Sequence, residues 1–122
     1  VDTKASVHIT KGAINYLASQ KHDFILIEFG DGILGEYGVL NILKDPEIKK
    51  NIVAHIGCAN DPPGAVEIVR ICKKIGTPID VIAGPVTDNS VGSHFIESSL
   101  KTAAFNALTN GTEMFEFLKK KL

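Results

Sequence analysis

The chain has 122 residues, 44% of them hydrophobic and 22% charged, with 13 Lys plus Arg against 14 Asp plus Glu. That is one domain's worth of sequence, and its near neutrality excludes a chain-wide field that would draw it to nucleic acid or an anionic membrane. The longest apolar runs are strand-sized, short of the roughly 20 residues a membrane span needs, and no secretory leader precedes them, so a cytoplasmic protein is expected.

In chain order, residues 1–8 carry no clear period, and from about Ile9 the apolar positions Ile9, Ala13, Ile14, Leu17 and Ala18 follow helical spacing. Asp23–Phe29 then predicts a strand, because FILI is a continuous apolar run without the alternation of a half-wet antiparallel strand. A glycine-rich loop follows. Tyr37–Leu43 can form two helical turns, and Lys44, Asp45 and Pro46 break them before a further turn at Glu47–Lys50. Asn51–Cys58 predicts a second strand, and Asp61 an N-cap with Pro62 at the first helical position. The helix Pro62–Ile75 has a broad apolar face, and Gly76 is placed for a left-handed cap. Ile79–Ala83 predicts a third strand ending in GPVTDNS, residues 90–109 a helix, and Glu113–Leu122 a last one whose lysines suit the negative end of its dipole.

Helix and strand alternating in this way imply a single α/β domain, residues 1–122, of three α/β/α layers around a small, mostly parallel sheet of about three strands. Strands so apolar would leave unpaired edges in so small a sheet. Since the chain begins at Val1 without an initiator Met, further strands upstream in a longer protein, or a second copy of the chain, are expected to complete it. Cys58 and Cys72 belong to no CxxC or Cys/His cluster and are expected to be reduced.

Open parallel sheets bind ligands outside the carboxyl ends of their strands, so the residues after each strand are the site candidates. They are Glu28, Gly30, Asp31 and Gly32 after the first, Asn60 and Asp61 after the second, and Gly84, Thr87, Asp88 and Asn89 after the third. Glycine lets a backbone approach a ligand, and a carboxylate at a strand end can hold Mg²⁺. Asp61, Asp88 and Asn89 can equally be N-caps, and Asp31 a solvated turn residue. Glu28 is costly to bury beside FILI without a cation or donors, which marks it as the metal candidate. Of the histidines, His55 reads as a satisfied core residue and His94 as a secondary candidate for ligand contact. No hydrolase elbow, HExxH or zinc spacing occurs.

DFILIEFGDGIL, NIVAHIGCAN, the helix AVEIVRICKKIGTPI and IDVIAGPVTDN together resemble, over roughly residues 10–90, the C-terminal part of P-loop NTPases of the dethiobiotin synthetase and cobyrinic acid synthase type. The resemblance implies that Glu28 matches a Mg²⁺-associated carboxylate beside the nucleotide phosphates and Asn89 an amide near the base. The sequence departs from that pattern at Phe29 and Asp31, where the family usually has small residues. It also holds no G-x-x-x-x-G-K-S/T loop, so a phosphate-cradling loop would lie upstream of Val1.

The expected function is therefore binding of a nucleotide or other small phosphorylated ligand, as the distal half of an ATP- and Mg²⁺-dependent synthetase or ligase that is inactive as an isolated chain. Its partners would be the upstream part of the same polypeptide and further copies of itself, with no nucleic acid and no membrane. The alternatives are a small doubly wound binding or oligomerisation module, and the partner domain of an NAD(P)-dependent dehydrogenase.

Overall fold

A computed structural model describes residues 2–122, which divide into two compact units, one ending at Asn51 and the other covering Ile52–Leu122. Val1, at the start of the aperiodic stretch, lies outside the described residues.

The first unit is helical. Its α1, Thr3–Ala18, is longer than the apolar period predicts, because the Asp2 carboxylate accepts from the Lys4 N–H at 3.1 Å and starts the helix before Ile9. α2, Val39–Lys44, packs against α1 and buries Val39, Ile42 and Leu43. α3, Pro46–Lys49, is a single turn capped by Asp45, whose carboxylate accepts from Glu47 N at 3.0 Å and Ile48 N at 3.2 Å. The Lys11 ammonium lies 2.8 Å from the same carboxylate and ties α1 to the start of α3. That hydrogen bond, opposed by some desolvation and helped by the two backbone donors, holds the Asp45 carboxyl below its ordinary range.

The second unit carries the sheet. β1, Ile56–Cys58, β2, Val81–Ala83, and β3, Ala103–Ala104, are all parallel, in the order β1-β2-β3. Ile56 lies opposite Val81, and Val81 opposite Ala103. α4, Pro62–Lys74, joins β1 to β2, α5, Ser90–Ser99, leads from β2 to β3, and α6, Gly111–Lys119, closes the unit. The architecture is thus a small parallel α/β sheet flanked by helices, and among the described residues its strands are three. Val81, Ile82, Ile96 and Cys72 are its largest fully buried side chains. Burial also pushes the Cys72 thiol above its ordinary pKa and keeps it protonated.

α4 follows its sequence signals. Asp61 caps Gly64 N at 2.8 Å, and at the far end Gly76, at φ +85°, reverses the chain so that Thr77 N reaches the Cys72 carbonyl at 2.9 Å. Below the sheet, His55 is satisfied by local partners. Its ring Nδ1 lies 2.9 Å from the Thr77 carbonyl, and its backbone N–H donates to Asp80 Oδ2 at 2.8 Å.

Two predicted elements are corrected. Residues 24–29 form no strand: among the described residues, no backbone hydrogen bond reaches any residue from Asp23 to Gly30, and Leu26 is 92% exposed. An apolar run records a preference for burial but supplies no ladder partner, and the third place in the sheet goes to Ala103–Ala104 instead. Correspondingly, the helix predicted over 90–109 stops at Ser99. Lys101 adopts φ +53°, and Thr102 N turns back to the Ile96 carbonyl at 3.4 Å before β3 begins. The alanines at 103, 104 and 107 satisfy a helical period and a short buried strand equally well, so periodicity could not separate them.

Candidate functional site

The carboxyl ends of β1, β2 and β3 converge. Ala59 N donates to the Ala83 carbonyl at 3.0 Å, and one residue further the chain turns at Gly84. With φ +92° and ψ −175°, Gly84 sits in a region open essentially to glycine alone, and a Cβ there would stand 2.8 Å from the Ala59 carbonyl oxygen. Val86 N then donates to that same carbonyl at 3.1 Å, which fixes the turn Pro85–Thr87 against the end of β1 beside Asn60. Gly92, in the first turn of α5, leaves no room for a side chain against the Val86 carbonyl. The start of α5 is thereby pressed onto the same turn.

From the third strand, Asn106 reaches across. Its Nδ2 donates to Asp88 Oδ1 at 3.0 Å and approaches the Thr87 carbonyl at 3.4 Å, while its Oδ1 accepts from Leu108 N and Thr109 N at 3.0 and 3.2 Å. This residue completes the cluster and was hidden in the sequence by the helical reading of 90–109. The signal that could have found it is an amide two residues beyond a small apolar pair, AAFN, repeating the strand-then-amide order of IGCAN and of VIAGPVTDN.

Several candidates prove to be occupied in shaping the turn. Thr87 is buried, and its hydroxyl donates to the Gly84 carbonyl at 2.7 Å. Asn89 Oδ1 accepts from Gly92 N at 2.9 Å, so both Asn89 and Asp61 are N-caps. α4 begins Pro62, Pro63, Gly64, and since the prolines have no N–H and Gly64 is capped, its tip has no backbone donor to spare. α5 differs, because Ser90 and Val91 are exposed at its first two positions and their amides point out of the helix end. What stays available at this rim is the pair of α5 amides, the Ser90 hydroxyl, the exposed Asn60 side chain and the Asp88 carboxylate held by Asn106. His94 is exposed on α5, where its carbonyl accepts from the Ser98 hydroxyl at 2.6 Å.

Glu28, Gly30, Asp31 and Gly32 do not stand at a strand tip, since the strand expected to carry them is absent. They belong to the loop of the first unit. Asp31 accepts from Tyr37 N at 3.0 Å and lies against Gly35, Gly35 N donates to the Gly32 carbonyl at 3.2 Å, and Gly32 has φ +80°. Asp31 and Gly32 therefore shape a turn. Glu28 is exposed and lines an apolar groove between this segment and α1, formed by Ile9, Ala13, Ile14, Ile25 and Phe29. Exposure removes the burial cost that singled it out.

Among the described residues no three His, Cys, Asp or Glu side chains converge as metal ligands, so the residues present do not fit a protein-built Mg²⁺ cage. Among them, too, no helix is long and apolar enough to cross a membrane. No family model matches the chain, and neither a curated protein nor a solved structure matches it.

Proposed function

We propose that the second unit binds a small phosphorylated ligand, a nucleotide or a related metabolite, at the carboxyl rim of its sheet. The observation that carries this reading is the convergence of three parallel strand ends on one turn, from which α5 leaves with the Ser90 and Val91 amides uncapped. Such an end attracts an anion through its free N–H groups and the positive end of the helix dipole. Asp88, steadied by Asn106, and Asn60 then suit the hydroxyl or amide groups of the rest of the ligand.

The same reading carries the expected kinship with the distal half of a P-loop NTPase-like synthetase, in which an upstream phosphate-cradling loop would supply most of the phosphate contacts. Mg²⁺ would then arrive with the nucleotide phosphates, which together with water commonly fill most of its shell. The isolated chain is accordingly expected to bind weakly and to turn nothing over.

The test is amide chemical-shift mapping with inorganic phosphate, ADP and ATP in the millimolar range. Ser90, Val91 and Gly92 should move together, with nucleotides also moving Asn60 and Asn106. Unmoved α5 amides at saturating phosphate and nucleotide would defeat the reading.

A further inference from the structure

We propose that residues 24–28 are a ready-made β-strand, and that a second copy of this chain accepts it along the free side of β1, so that two copies exchange strands reciprocally. Burial along the segment alternates as in a strand lying on a helix. Ile25 and Phe29 are half-buried in the groove against α1, Ile27 is 40% exposed, and Phe24 and Leu26 on the opposite side are 62% and 92% exposed. No backbone group in it is hydrogen-bonded among the described residues.

β1 offers the complementary surface. The His55 carbonyl and the Ala59 N–H both bond toward β2, and because alternate residues of a parallel strand bond to alternate sides, Ile56 and Cys58 present theirs to the open side. Cys58 is exposed, Val53 is 56% exposed, and no Lys, Arg, Asp, Glu or Pro lies between Ile52 and Cys58 to guard this edge. The outer edge at β3 is shorter, two residues, and Glu97 and Lys101 flank it. Charge and length therefore select β1.

The area is adequate. With about 200 Å² for the Phe24 side chain and somewhat less for Leu26, the exposed parts of these two outward residues, matched by the surface they would cover and doubled by exchange, give about 1,200 Å². Stable specific interfaces bury roughly 1,200–2,000 Å². Parallel pairing follows from the all-parallel sheet and the uninterrupted apolar run, and the register that brings the two tips level, Glu28 beside Cys58, places Phe24 beside Ala54. Glu28 of the second copy would then stand at the rim assigned above to the ligand; this last step alone rests on the proposed function.

Sedimentation velocity of the full chain over a concentration series, paired with amide hydrogen exchange, tests the exchange. The expected result is a reversible dimer in which the amides of Ile25, Ile27, Ile56 and Cys58 gain protection in step with the dimer fraction. L26K and V53K, each placing a charge at an exposed position, should weaken the dimer about tenfold or more while leaving the circular dichroism of the dilute chain unchanged.

A monomer at all concentrations, protection of Ile25 and Ile27 independent of concentration, or a dimer indifferent to both variants would overturn the proposal. For polarity, a short bismaleimide should join E28C to Cys58 of the second copy and leave F24C uncoupled, and the reverse would overturn parallel pairing. A dimer with normal crosslinking but unmoved Ser90 and Val91 amides would leave the strand exchange standing and remove the ligand reading alone.

Discussion

Two stretches of this chain read almost alike and fold differently. DFILIEFGDG and IDVIAGPVTDN each run from an Asp through aliphatic residues to glycine and a carboxylate. In the second, Val81 and Ile82 are wholly buried at the centre of a sheet; in the first, Leu26 is 92% exposed and its backbone has no ladder. The difference lies in neighbours. β2 has a strand on each side within its own compact unit, whereas the described residues of the first unit supply residues 24–29 with a helix on one face and no strand.

Truncating one aliphatic side chain in each run should have very different costs. I82A should lose about 2–5 kcal/mol in urea unfolding, while L26A, measured in dilute monomer, should lie within about 0.5 kcal/mol of the parent. Equal losses would mean that the two runs are equally buried. Next in size, G84A should cost about 1–3 kcal/mol, since its φ of +92° and the 2.8 Å approach to the Ala59 carbonyl both oppose a side chain. A neutral result would show that the turn joining the strand tips is slack.

Lys101 sharpens the contrast from the other side. Held at φ +53° just beyond the end of α5, it should gain about 1 kcal/mol on replacement by glycine, visible as a raised melting temperature. A drop would mean that the lysine stem is packed rather than strained.

The smallest effect concerns pH. Because the Lys11 hydrogen bond lowers the folded-state pKa of Asp45, its contribution is present above the unfolded carboxylate value and is lost as pH falls through the lower folded value. Between those two values the parent should lose stability in acid, and K11M should flatten that slope modestly, because the Glu47 and Ile48 amides still hold the half-buried carboxylate. An unchanged acid slope would show that the pair does not couple to folding.

Much of this was legible in the sequence. α4 could be read end to end because each of its signals is local: a capping Asp61, a proline at the first position, a continuous apolar face and a left-handed Gly76. The turn after β2 was legible for the same reason, glycine and amide types being tied to particular backbone angles. Two things were not. Whether an apolar run finds a partner strand is a non-local fact, so Phe24–Phe29 and Ala103–Ala104 exchanged roles between expectation and structure. With β3 unseen, Asn106 could not be placed at the rim, and without the paired backbone Glu28 could not be seen to leave it. The caps at Asp61 and Asn89 were recognisable as residue types, but only the geometry shows that capping occupies them.

The proline pair that opens α4 carries a consequence for how the second unit assembles. Pro62 and Pro63 enter the helix with their φ angles already set, so the unfolded chain surrenders less freedom there than any other pair of residues would. The first turn of α4 thus starts from backbone angles close to those it keeps, and the contacts it brings together are close in sequence. Such a segment is a natural early nucleus, around which β2 and then β3 can be added in chain order.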